Sequence, residues 1–170
     1  IASACAHQVV CVSESIRQVY VEQKLAPAWK CMIPGPGSSN GINVARFEKT
    51  DERFRAARGI RRQLGIPLDA PVVGFVGRLT RDKGIVELAE AFRTVQQSHS
   101  DARLLLIGEF ESGDPVPQET IDWLRSNPAV CVAGFSKDPS NFYSIMDLLA
   151  FPSYREGFPN VPLEAAAASI

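Results

Sequence analysis

Val72-Val73-Gly74-Phe75-Val76-Gly77-Arg78-Leu79, followed by Lys83-Gly84-Ile85 and then by Leu104-Leu105-Leu106-Ile107-Gly108, is the stretch that decides the fold. The first and last of these blocks are short, unbroken apolar runs that end on a glycine. Such a run, bounded by turn residues, reads as a strand buried on both faces. Between them, residues 83–97 carry Ile85, Leu88, Ala89 and Phe92 at helical spacing. That is one apolar stripe on an amphipathic helix. Strand, helix and strand in this order make a parallel βαβ unit.

The alternation continues downstream. It predicts a helix over 117–126, a strand over 130–132, a helix over 139–146, a strand over 148–151 and a helix over 162–169. Connections of this kind are right-handed and cover both faces of the sheet. The expected fold is therefore α/β, a Rossmann-like doubly wound parallel sheet. Upstream, residues 8–12 read as a buried strand. Ser13 caps a helix through about residue 25, Pro27 ends that unit, and residues 31–33 are a further strand. Residues 34–41 are rich in Pro, Gly and Ser and read as a loop or hinge. Residues 51–64 are helical by spacing, stopped by Gly65 and Pro67. The expected organisation is a unit over 1–33, a hinge over 34–50 and a Rossmann-like domain over 51–170. Residues 1–6 read as the tail of a helix already under way, and the last residues as a helix before a further strand. On that reading the chain is a piece of a longer protein.

Composition narrows the function classes. A chain of 170 residues with 45% hydrophobic residues can build one ordinary core. A net charge of −1 with interspersed signs gives no basic stripe, so no nucleic-acid partner is expected. No apolar run approaches the ~20 residues of a membrane span. The first residues lack a basic n-region, which argues against a signal peptide. The four cysteines lack zinc or redox spacing, and Cys11, Cys31 and Cys131 lie in apolar runs. They read as buried free thiols of a reducing compartment, placing the protein in the cytoplasm. His7 and His99 have no ligand-spaced partner, so a catalytic histidine is not expected.

In open parallel sheets ligands lie beyond the carboxyl ends of the strands. Arg78 follows the strand Val72–Val76, and Lys83 opens the next helix. Both project where a diphosphate would lie. Arginine offers a planar fork of donors and lysine a mobile point charge. The alternative is a solvated surface pair bridging Asp82. Arg81 reads as an ordinary surface charge, and Glu109 and Glu111 as solvent-facing acids, although Gly108-Glu109 borders the same region.

A second motif is Arg155-Glu156-Gly157-Phe158-Pro159-Asn160-Val161-Pro162-Leu163-Glu164, running into four alanines. Pro162 suits the first turn of a helix. Glu156 then lies in a loop and Glu164 in the helix. The free N–H groups between them form an anion seat. A loop carboxylate, a helix N-terminus and a second carboxylate can together hold a sugar, a phosphate and a ribose. Glu164 also reads as a helix-terminal acid that answers the macrodipole, a role compatible with the first.

With these residues in view, the sequence resembles the retaining, GT-B-fold glycosyltransferases of the large group 1 family. Glu156 to Glu164 matches that family's Glu-x7-Glu signature. The Gly74–Leu79 block with Lys83-Gly84-Ile85 resembles its diphosphate grip, which includes Gly77. Leu104 to Gly108, Val130 to Phe135 and Asp147 to Ser153 follow in the family's order. Pro34 to Phe47 resembles its inter-domain segment. The resemblance implies that residues 51–170 are an incomplete C-terminal donor domain and that residues 1–33 are the last unit of an N-terminal acceptor domain.

It also implies site roles. Arg78 and Lys83 would stabilise the departing nucleoside diphosphate, and Glu156 would contact the donor sugar. Glu164 would hold the ribose diol in bidentate fashion. Backbone N–H groups of Gly157, Phe158, Asn160 and Val161 would meet the sugar and phosphates. Gly134 and Phe135 would border the base, with Phe135 either packing on it or serving as a core aromatic. No Asp-x-Asp motif is present, so no metal and no cofactor beyond a UDP- or GDP-sugar substrate is implied. The acceptor would be a glycan or lipid-linked molecule, held mainly by the missing N-terminal domain. That domain would also give access to the inner face of the membrane. This chain alone would transfer little sugar. The Gly-Ser-Ser-Asn-Gly-Ile-Asn stretch at 37–43 resembles bacterial enzymes that build surface polysaccharide. The rival readings are a glycogen- or sucrose-building synthase of the same fold, and a non-catalytic nucleotide-binding module. Against the module, no Gly-x-Gly-x-x-Gly follows any strand.

Overall fold

The fold is that of a computed structural model, which describes residues 2–38, 41–48 and 50–170. The hinge expected over 34–50 includes Ser39, Asn40 and Lys49, and the helix tail over 1–6 includes Ile1. These four positions lie outside the described residues. The chain groups into two units: Ile1–Ile42 with Glu156–Asn160, and Asn43–Arg155 with Val161–Ile170.

The first unit holds α1 (Ala2–Cys5), β1 (Val9–Val10), α2 (Glu14–Glu22) and β2 (Cys31–Met32). The two strands pair in parallel, with Val9 opposite Cys31. The strands expected over 8–12 and 31–33 thus contract to two residues each. The pairing extends by one bond, from Cys11 N to the Met32 carbonyl at 2.8 Å. Ser13 caps α2 as expected: its backbone is extended and its hydroxyl accepts from Ile16 N at 3.3 Å. The helix ends before residue 25 because Lys24 adopts a positive φ of 55°. Cys11, Ala26 and Cys31 form a small core with Val9, Ile16, Tyr20, Val21 and Ile33 around it. Burial, followed by the neighbouring Cys31, pushes the Cys11 thiol up from its ordinary range. Cys5, outside the apolar runs, is exposed on α1, and Cys131 departs from the expectation of buried thiols because it is only partly buried.

The second unit contains α3 (Asp51–Gln63), β3 (Val72–Val76), α4 (Ile85–Ser98), β4 (Arg103–Ile107), α5 (Gln118–Ser126), β5 (Val130–Gly134), α6 (Ser140–Tyr143), β6 (Leu148–Leu149) and, from Val161 on, α7 (Asn160–Ala167). Its strands form one parallel sheet in the order β5-β4-β3-β6. The α/β parallel architecture is as the sequence implies. Phe75, Leu79, Ile85, Leu88, Phe92, Leu104, Leu106 and Leu124 fill the core, with the α4 stripe packed on β3 and β4.

Four spans differ most from expectation, the first being β6, which covers Leu148–Leu149 rather than 148–151. β5 runs on to Gly134, whose carbonyl accepts from Gly108 N at 2.8 Å, after a register shift between Leu106 and Ile107. α6 is one turn, not a helix over 139–146. Beyond Tyr143 the chain continues in tighter bonds, Ile145 N to the Phe142 carbonyl and Met146 N to the Tyr143 carbonyl. α7 begins at Asn160, two residues before Pro162, so Pro162 is its third residue. An imide without N–H is tolerated there because none of the first four N–H groups has a partner inside the helix.

The far end of the sheet is sealed by Arg61. Its guanidinium donates to the Ala70 carbonyl at 2.8 Å and to the Ile145 carbonyl at 2.9 Å, while Asp147 accepts from Val72 N at 2.8 Å. The order of the strands matters more for function. The chain starts at β3, steps outward to β5, and returns to β6 on the other side of β3. The direction of winding reverses at β3, and a crevice for ligands opens beyond the strand ends at such a reversal.

Candidate functional site

The loop after β3 is pinned from both sides, which leaves Arg78 outside. Gly77 N donates to the Ile107 carbonyl at 2.9 Å and Leu79 N to the Glu109 carbonyl at 2.8 Å. Leu79 and Thr80 are fully buried. Arg78, between these anchors, is 53% exposed at its side chain. The loop ends at Gly84, whose φ of +72° is left-handed. A Cβ there would overlap the Pro152 carbonyl oxygen, so glycine lets the two loops touch. Half-buried Lys83 immediately precedes it, and α4 starts immediately after.

Asp82 ties three loops together. Its carboxylate accepts from the Thr80 hydroxyl at 2.5 Å and pairs with Arg78 at 3.5 Å and Arg155 at 3.8 Å. Its backbone N–H donates to Asp114 at 2.7 Å, and its carbonyl accepts from Tyr154 N at 2.9 Å. The Thr80 hydroxyl, then Arg78, Lys83 and Arg155, hold the Asp82 carboxyl below the usual carboxylate range against the opposing effect of burial. Arg78 and Lys83 therefore act on one carboxylate. The expected alternative of a pair with Asp82 is present in the structure. It leaves the cations at the strand ends rather than removing them.

Glu111 is exposed, as expected, and it also has a partner. Its carboxylate accepts from Arg78 Nη1 at 3.2 Å, so Arg78 sits between two carboxylates. Gly77, Arg78, Gly108, Glu109, Glu111, Phe135 and Ser136 line a cleft of ≈ 260 Å³ with Val76 and Ile107. This cleft lies at the carboxyl ends of β3, β4 and β5, and unites Gly77, Arg78 and Phe135 of the expected site. Gly134 adjoins it through its bond from Gly108. Phe135 is 67% exposed, which excludes its reading as a core aromatic. The loop behind it is fixed by Asp138, which accepts from Ser140 N at 3.1 Å and pairs with Arg46 at 3.0 Å. A larger cleft of ≈ 480 Å³ is lined by Asp82, Arg155 and Tyr154 and includes none of the strand-end glycines.

On α7, Val161 and Glu164 are half-buried. No acid lies in the first turn of this helix. The reading of Glu164 as a helix-terminal acid therefore fails, because the helix starts earlier than Pro162 suggests. Glu164 instead accepts a hydrogen bond from the Tyr143 hydroxyl at 2.6 Å. Tyr143 is fully buried, and its ring meets the edge of Phe47 at 5.6 Å. Burial, then the Glu164 carboxylate, raise the Tyr143 hydroxyl far above its ordinary range and keep it a donor.

Glu156, Gly157, Phe158 and Asn160 belong to the first unit and are half-buried there. A Cβ on Gly157 would lie 3.2 Å from Val12 Cγ2, so the close approach at this glycine is to the start of α2. Asn160 Oδ1 is one of two buried side-chain polar atoms without a hydrogen-bond partner among the described residues. The described residues hold no cluster of three metal-ligating side chains and no helix long and apolar enough to cross a membrane. Sequence reasoning missed Tyr143 and the pairing of Glu111 at the candidate site, and it reads Asp82 only as the acid of a surface pair. For Tyr143 a signal existed, since a buried tyrosine hydroxyl demands an acceptor. For Asp82 and Glu111 only the folded arrangement of the loops shows their role.

Comparison with known proteins places this geometry. The family model of the group 1 glycosyl transferases matches residues 57–170. The capsular polysaccharide biosynthesis glycosyltransferase CapM of Staphylococcus aureus is 33% identical over 174 residues, covering 100% of this chain and 43% of that protein. The putative teichuronic acid biosynthesis glycosyltransferase TuaC of Bacillus subtilis (strain 168) is 32% identical over 127 residues, 75% of this chain and 29% of that protein. Among solved structures, Anabaena Alr3699/HepE in complex with UDP-glucose superposes with a TM-score of 0.78 at 24% identity, covering 98% of this chain and 44% of that one. The chain thus spans less than half the length of these relatives. The family match and the sequence identity place it in one family: the chain belongs to the group 1 glycosyl transferases, of GT-B fold.

Proposed function

We propose that this chain is the nucleotide-sugar-binding part of a retaining glycosyltransferase. It moves a sugar from a UDP- or GDP-sugar to a hydroxyl of a glycan or lipid-linked acceptor, in the synthesis of bacterial surface polysaccharide or glycoconjugate. The observation that carries this reading is Arg78, held out at the end of β3 where the winding reverses, on the rim of the strand-end cleft. The names of the capsular and teichuronic relatives and the UDP-glucose held by the Anabaena protein support it. In this reading residues 1–33 belong to an acceptor domain, 34–50 to a hinge and 51–170 to the donor domain. The reaction takes place in the cytoplasm.

The acceptor oxygen bonds to the anomeric carbon on the face from which the diphosphate leaves, as the carbon–oxygen bond to phosphate breaks. The leaving phosphate takes the acceptor's proton. Arg78 and Lys83 stabilise the charge that builds on the diphosphate. Glu156 orients the sugar, and Glu164 accepts from the ribose diol through Oε1 and the second lone pair of Oε2. N–H groups of Gly157, Phe158, Asn160 and Val161 meet sugar and phosphate, and the partnerless Asn160 Oδ1 fits a ligand donor. Gly77, Gly134 and Phe135 border the nucleotide.

The ribose assignment is tested by calorimetry with UDP, GDP and their 2′,3′-dideoxy analogues. Wild type is expected to prefer the ribose forms. Glu164→Gln is expected to lose most of that preference, because charged hydrogen bonds contribute roughly 1.5–3 kcal/mol. Glu156→Gln is expected to leave nucleotide binding nearly intact and to damage transfer. A Glu164→Gln variant that discriminates ribose as well as wild type does would remove the assignment. Binding should also be indifferent to EDTA. A strict need for magnesium or manganese would mean that a metal, not Arg78 and Lys83, carries the phosphate charge.

A further inference from the structure

We infer that Tyr143 is the positioning residue for Glu164, and that Phe47 in turn positions Tyr143. The inference rests on the reading of Glu164 as the ribose carboxylate. It starts from a buried hydroxyl. Tyr143 is 0% exposed, and its O–H donates to Glu164 Oε2 at 2.6 Å. A hydroxyl withdrawn from water needs a partner, and a carboxylate is the strongest acceptor a protein offers. The bond joins residues 21 apart in sequence, from α6 to α7. Neither element specifies it alone.

The bond constrains the glutamate. A half-exposed glutamate has three rotatable bonds and loses that freedom when a ligand orders it. Here one oxygen is already tied to a side chain that cannot move. Tyr143 N donates to the Pro139 carbonyl at 3.4 Å, and the Tyr143 carbonyl accepts from Met146 N at 3.1 Å. Its ring meets buried Phe47 edge-on, 5.6 Å between centroids at 72°. With ring and backbone fixed, the hydroxyl holds the carboxylate in one orientation before any nucleotide arrives. Preorganisation of this kind raises affinity by lowering the ordering cost. The hydroxyl does more than orient. Because it stays protonated, it always donates, and Oε1 is the glutamate oxygen that this bond leaves to accept from a ligand.

The test is a cycle of Y143F, E164Q and the double variant in the full-length protein, titrated with UDP, GDP and their 2′,3′-dideoxy analogues. Thermal midpoints are recorded alongside. Y143F is expected to reduce the preference for the ribose form roughly 3–10-fold, the scale of one hydrogen bond, while binding of the dideoxy form stays level. In the E164Q background Y143F should remove no further preference. If Y143F lowers the thermal midpoint and weakens both ligands equally, Tyr143 is structural and the inference is overturned. If E164Q itself keeps the preference, or wild type shows none, the ribose reading of Glu164 fails and the inference with it. Should Y143F not fold, F47A decides. It frees the Tyr143 ring and is expected to reduce the preference; an unchanged preference overturns the inference.

Discussion

Arg78→Ala and Lys83→Ala are each expected to lower sugar transfer by the full-length enzyme at least about 100-fold, the scale of one lost donor to transition-state charge. Arg78 stands outside the core at 53% exposure, on a loop whose hold comes from Leu79, Thr80 and the backbone bonds of Gly77 and Leu79. Removing its guanidinium disturbs none of these. It does leave Asp82 and Glu111 without their shared cation, but these pairs are partly exposed, and such pairs contribute only about 0–1 kcal/mol. Lys83 lies next to Gly84, whose backbone and not the lysine side chain starts α4. Folding should therefore survive in both variants. The measurement is kcat/KM with the preferred nucleotide sugar, beside a thermal melt. Near-normal turnover with an intact melt would remove the diphosphate-clamp assignment. A collapsed melt would make loop stability the cause of any lost activity.

The parts of this molecule written in short windows of sequence were legible. β3 spans Val72–Val76 as its apolar run and closing glycine imply, and α3 starts at Asp51 and stops near Gly65 as composition implies. Ser13 caps α2 because an N-cap is a contact three residues long. Boundaries were lost where one element depends on another. β5 extends to Gly134 only because Gly108 offers it an N–H, and α7 starts at Asn160 although Pro162 marks a plausible start. The site divides in the same way. Arg78 could be placed by counting from a strand end. Glu111, 33 residues away, and Tyr143, 21 residues before its glutamate, come to the site through loops whose paths the periodicity does not encode. Phe135 shows the limit from another side. An aromatic after a strand reads equally well as core or as surface, and only its 67% exposure separates the two.

Gly108→Ala is expected to cost about 3 kcal/mol or more of stability, which puts it among the larger effects of single substitutions. Two costs combine. Gly108 has φ +150°, a conformation that residues with a Cβ rarely adopt, and such strain costs of order 1–3 kcal/mol. A Cβ at this position would also overlap the Gly77 carbonyl oxygen and lie 2.9 Å from the carbonyl carbon. Both obstacles are backbone, so no side chain can rotate away. The ends of β3 and β4 must separate, yet Gly77 N bonds to the Ile107 carbonyl and Gly108 N to the Gly134 carbonyl across this same place. Either the strand ends part and these bonds stretch, or the strain stays in the native state. Both outcomes lower stability, and the first also widens the cleft that Gly77, Gly108 and Phe135 line. Chemical denaturation of wild type and variant checks the expectation, with Gly113→Ala as the control, because a Cβ at Gly113 meets nothing within 4 Å. A Gly108→Ala variant as stable as Gly113→Ala would show that the ends of β3 and β4 tolerate separation. The cleft at the strand ends would then not be the rigid seat on which the placement of Arg78 depends.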